Sequence, residues 1–129
     1  MNDAQLALRR TVFEAFARTG APPELPDSPE LRALAEGHVV VLDGHGRIRM
    51  AHPFAAHPDG ARVDAQGRCW WGNCAWDAFG IVHALGLHDA TITAQGIGIA
   101  VRDGVPEATD AILHVAVPAT HWWDDIAHT

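Results

Sequence analysis

Between residues 3 and 19, Leu6, Leu8, Val12, Phe13 and Phe16 recur at spacings of three and four, which predicts a helix. Gly20 ends it, and Pro22, Pro23 and Pro26 make the next stretch a loop. Ser28 then caps a second, short helix. Pro29 takes its first position, Leu31, Leu34 and Ala35 form its apolar side, and Gly37 closes it. The pattern changes at residue 38. Two strands, about 38–42 and 47–52, flank the turn Asp43-Gly44-His45-Gly46. The polar connection AHPDGARVDAQGR has room for one short strand. Asn73 is the expected N-cap of a helix from Cys74 to about Leu85, with Gly86 as its stop and Ala75, Phe79, Val82 and Leu85 as its buried stripe. ATITAQ, GIGIAVR and AILHVAV predict three further strands, the last ended by Pro118. ATHWWDDIAHT opens a new helical segment.

The expected class is therefore α+β. Two helices and a hairpin resemble a small winged-helix unit over residues 1–57. A lobe of one helix and an antiparallel sheet follows over residues 58–129. A length of 129 residues suits one domain, or two very small ones sharing a core. Composition narrows the function. Hydrophobic residues make up 48%, enough for a packed core. The net charge is -7, and the nine basic residues, all Arg, are scattered. Phosphate neutralisation needs clustered positive charge, so nucleic acid is not an expected partner. The second helix, PELRALAEG, sets one Arg against two Glu and makes a poor recognition helix, although a winged-helix DNA-binding regulator stays as an alternative. No stretch approaches the roughly 20 apolar residues of a membrane helix, and MNDAQLALRR does not read as a signal peptide. A soluble, cytoplasmic protein is expected. Thiols stay reduced there, which favours reactive or metal-binding roles for Cys69 and Cys74 over a structural bridge.

The candidate chemistry centres on Cys74 and Asp77. At a helix start, the macrodipole and free N–H groups favour a thiolate, so a lowered thiol pKa is expected. Asp77, three residues on, shares the helix face. A soft thiolate beside a proton-carrying carboxyl suits cleavage of a carbon–metal bond: sulfur takes the metal and the carboxyl moves a proton to the departing carbon. Tryptophans and Phe79 would supply an apolar wall that raises the Asp77 pKa. The spacing alone leaves plainer roles open, a buried core cysteine and an early-turn aspartate favouring the helix dipole. The nine histidines show no H-E-x-x-H or comparable zinc pattern, and His52, His57 and His83 receive no chemistry. Trp70-Trp71 and Trp122-Trp123 serve either as core or as a pocket for an organic group. With Ser28 the only serine and no G-x-S-x-G, nucleophilic hydrolysis has no support.

The run Asn73-Cys74-Ala75-Trp76-Asp77-Ala78-Phe79, continuing to Ala84-Leu85-Gly86, resembles the segment of organomercurial (alkylmercury) lyases built around Cys-Ala-x-Asp. The helices and hairpin upstream, the run Leu113–Pro118 and the segment Trp122–Ile126 are similar to other parts of that family. The resemblance implies that Cys74 is the first mercury-capturing cysteine and Asp77 the proton-handling aspartate. It implies an organomercurial substrate, no organic cofactor, and Hg(II) held on thiols as product. The family's second cysteine would fall shortly after Trp122–Ile126, close to Thr129. Three alternatives follow: a chain cut short before that cysteine or a selenocysteine, Cys69 as a substitute metal ligand reached through a flexible Trp-Trp-Gly-Asn connection, or a protein that binds mercury or another soft metal without catalysis. An open sheet edge and exposed apolar surface are expected in the first case, and with them self-association as a homo-oligomer or marginal stability.

Overall fold

The computed structural model describes residues 1–128. Its first helix, α1 (Asp3–Thr19), starts at a capping box: Asn2 accepts from the Gln5 N–H, and the Gln5 side chain returns to the Asn2 N–H. It stops at Gly20, which has a left-handed φ of 75° and lies against β-sheet backbone; a Cβ there would sit 2.4 Å from the Cys69 carbonyl oxygen. In α2 (Pro29–Glu36), the Ser28 hydroxyl accepts from the Leu31 N–H, and Leu31 and Leu34 turn inward. Its one arginine, Arg32, is ion-paired with Asp27.

Among the described residues eight antiparallel strands follow: β1 (Val41–Leu42), β2 (Ile48–Ala51), β3 (Phe54–Ala55), β4 (Ala61–Ala65), β5 (Arg68–Gly72), β6 (Ala90–Ala94), β7 (Ile97–Arg102) and β8 (Val105–Pro106). They form one sheet in the order β1-β2-β3-β5-β4-β6-β7-β8, with α3 (Ala75–Ala84) connecting β5 to β6. The turns Gln66-Gly67, Gln95-Gly96 and Asp103-Gly104 are left-handed at both residues, which suits two-residue hairpins in a twisted sheet. On β4, Ala61, Val63 and Ala65 are buried, while Arg62 and Asp64 face outward. The inner face carries α1 and α3. Phe16 stacks on Phe54 at 5.3 Å, and the Trp70 indole N–H donates to the Phe16 and Ala17 carbonyls at 3.1 Å each, tying β5 to the end of α1.

The expected boundary at residue 57 falls between β3 and β4 of this continuous sheet, and the core cluster draws on residues from both sides of it. Strand β3 was not expected, and the β5 stretch had been read as a flexible connection. The segment 111–117, expected as a strand, has no regular structure and joins no ladder among the described residues, and Ile112 is 88% exposed. High β-propensity forms no strand without a partner edge for its N–H and C=O groups. The chain then turns through two 3₁₀ segments, Ala119–Asp124 and Ile126–His128, where a helix had been expected. Thr129 lies outside the described residues. No helix among them is long and apolar enough to cross a membrane.

Candidate active site

The site forms where β5 runs into α3. Gly72 ends the strand against the first turn of the helix: a Cβ there would lie 2.8 Å from the Asp77 Cβ and 3.0 Å from the Ala78 nitrogen. Only glycine lets the two elements approach this closely. Cys74, not Asn73, is the N-cap, with extended backbone (φ -145°, ψ 176°), and the helix begins at Ala75. Asn73 serves elsewhere, its amide donating to the Ile126 carbonyl at 3.1 Å. The buried side of α3 consists of Asp77, Ala78, Ile81 and Val82, a rotation from the expected stripe that turns Asp77 inward.

Asp77 is 9% exposed, the one charged residue among the buried groups described. The Cys74 thiol points to its Oδ2 at 3.6 Å. On the other oxygen, Oδ1, His52 Nδ1 lies 3.4 Å away. Burial pushes the Cys74 thiol above its ordinary pKa; the backbone N–H groups of Asp77 and Trp76 oppose this, and the Asp77 charge adds to it. The expected lowering by the helix N-terminus is therefore overturned. Desolvation of the sulfur, with a carboxylate facing it, outweighs the helix dipole and the opposing backbone N–H groups. The resting site favours a protonated thiol aimed at a carboxyl oxygen.

Asp77 lines a cavity of about 400 Å³ together with His52, Pro53, Trp76, Gly80, Trp122 and Trp123, among others. Its outer wall is the C-terminal turn. Trp123 stacks on His38 at 4.0 Å and meets the His52 ring edge-on at 5.9 Å, while the Trp122 indole donates to the Val117 carbonyl at 2.7 Å. Phe79, expected in this wall, packs toward the core instead.

The structure brings Cys74 and Asp77 together and leaves Cys69 apart. The supposed flexible connection is β5, paired with β4 along its length and with β3 through Trp71. Along a strand, side chains alternate between faces. Trp70 and Gly72 face α1 and α3, so Cys69 and Trp71 face the opposite side. There Cys69 lies in a shallow polar recess with Arg62 and Asp64, its thiol pKa raised by burial and partly lowered again by Arg62. Both cysteines are free, and no group of three or more potential ligands among the described residues is placed to hold a metal ion. His52 is the residue that sequence reasoning passed over. Its only sequence signal is a loop position between two short strands, and the helix it approaches lies more than twenty residues on.

A family model described as alkylmercury lyase matches residues 54–129, the stretch holding β3 to the C-terminal turn and both Cys74 and Asp77. No curated protein matches the chain. Among solved structures, the mercury-bound form of MerB2 superposes with a TM-score of 0.64 at 20% identity, over 85% of this chain and 61% of that one. That likeness is one of fold, and the chain spans less than two thirds of the MerB2 chain. With the family model covering more than half of its length, and the thiol–carboxyl pair inside the matched stretch, the chain belongs to the alkylmercury lyase family.

Proposed function

We propose that this protein captures organomercurials on Cys74 and protonolyses the carbon–mercury bond with Asp77. The observation that carries this reading is the Cys74 thiol, 3.6 Å from Oδ2 of Asp77, which itself lines an aromatic-walled cavity. As sulfur bonds R–Hg⁺, the thiol proton passes to the facing carboxylate. Asp77 then gives that proton to the carbon, which takes the electron pair of the carbon–mercury bond and leaves as R–H. Hg(II) stays on sulfur and the carboxylate is regenerated. A second soft ligand suits the bound Hg(II), and a thiol in solution supplies it, because Cys69 faces away. A dry apolar cavity of roughly 150 Å³ is enough to take up benzene, so about 400 Å³ accommodates an alkyl or aryl group. No organic cofactor takes part, and a reducing cytoplasm keeps Cys74 a thiol.

One observation favours a second reading, mercury capture without cleavage: the chain's other thiol does not reach the Cys74 site. Benzene release from phenylmercury, measured with excess low-molecular-weight thiol, separates the two. The lyase reading expects release by the native protein, a fall of about 10²–10⁴-fold in Asp77→Ala with capture retained, and loss of both in Cys74→Ser. One equivalent of mercury bound without any benzene would establish the capture reading.

A further inference from the structure

We infer that His52 is a positioning residue for Asp77, holding one carboxylate oxygen so that the other faces the Cys74 thiol. The inference rests on the lyase reading and deepens it. Three observations converge. The contacts to Asp77 are divided between its oxygens, His52 Nδ1 at 3.4 Å from Oδ1 and Cys74 Sγ at 3.6 Å from Oδ2. The imidazole is fixed from both sides. Pro53, the next residue, packs so tightly on α3 that a Cβ at Gly80 would lie 3.1 Å from the Pro53 Cβ, and Trp123 abuts the ring edge-on from the C-terminal turn. Finally, the His52 side chain is 37% exposed, so core packing does not account for its place.

A carboxyl that receives a proton from sulfur and delivers it to carbon must present one oxygen in a fixed direction, and an N–H on the other oxygen removes its freedom to rotate. The 3.4 Å separation is longer than a well-formed hydrogen bond. Such contacts tighten when substrate fills a site. The donor has to be Nδ1–H, the nitrogen nearest the backbone.

This demands a tautomer that can be read without turnover. In a histidine-¹⁵N-labelled sample, two-bond ¹H–¹⁵N spectra should show His52 protonated on Nδ1, and Asp77→Ala should remove that preference. A His52 carrying its proton on Nε2 alone in the native protein, or one unchanged by Asp77→Ala, overturns the inference whether or not the protein cleaves phenylmercury. In the cleavage assay, His52→Leu should lower kcat about 10–100-fold with KM within twofold. His52→Asn, whose amide nitrogen falls near the Nδ1 position, should recover most of that loss, whereas His52→Gln, which mimics Nε2, should not. Equal activity of His52→Leu and the native protein would also overturn it. A native protein that releases no benzene defeats the lyase reading, and the tautomer still decides the role of His52.

Discussion

The two cysteines are five residues apart in sequence and on opposite faces of the sheet. Cys69 lies in the middle of the polar outer face, beside Arg62 and Asp64, where water screens each charge. Cys74 lies past the strand end on the inner side, against the buried carboxylate of Asp77, which lines a cavity walled by three tryptophans. Both thiols are raised by burial and face a carboxylate that reinforces the shift, but what opposes it differs: the Arg62 guanidinium at Cys69, the backbone N–H groups of Asp77 and Trp76 at Cys74. Proximity along the chain therefore says little about shared chemistry once a strand intervenes. Strand parity decides which groups meet.

The contrast can be broken most forcefully at Gly72, the residue that lets α3 sit on the inner face. Gly72→Val would press a side chain into the Asp77 Cβ and the α3 backbone. Overpacking of this kind costs about 1–3 kcal/mol, and a thermal melt should show Tm lower by roughly 5–15 °C, with benzene release lost. An unchanged Tm would mean that the close approach is not a constraint. A smaller effect concerns the thiol itself. Because folding raises the Cys74 pKa, the folded state binds the proton more tightly than the unfolded chain. The resulting stabilisation is complete below the unfolded thiol pKa and is lost as pH rises through the folded one. Iodoacetamide alkylation of Cys74, followed by mass spectrometry across pH, should have its midpoint above the ordinary thiol range. The midpoint should move down in Asp77→Ala, where a raising charge is gone. The smallest expected change is at the outer face: Cys69→Ser should leave mercury stoichiometry and benzene release within about twofold of the native protein. A tenfold loss there would bring Cys69 back as the second ligand.

What the sequence disclosed follows the same division. Both N-terminal helices were legible from their caps, since Ser28, Pro29 and Gly20 act locally. The Cys74–Asp77 pair was legible because both residues share one helical turn. The phase of α3 was not. AWDAFGIVHALG is apolar on nearly every side, so periodicity picks no unique stripe, and packing against β4, β5 and β6 chose one that buries Asp77. Strand β5 was hidden because Trp70 and Trp71 are adjacent: one is buried under α1 while the other meets Arg62 on the outer face, and two equal side chains erase the alternation. His52 was illegible for a different reason. Its meaning depends on a contact across 25 positions that no local pattern encodes.

The strand order carries a consequence for how the chain reaches this state. Apart from the exchange of β4 and β5, each strand pairs with a sequence neighbour, several across two-residue turns, so most of the sheet can zip from hairpin to hairpin with little loop-closure entropy. The indole clip from Trp70 to Phe16 spans 54 positions and belongs to the long-range closures. Docking of α1 is thus set apart from the local steps: it can seal the inner face once β5 is in place, and the reactive pocket beside that face is completed after the sheet that carries it.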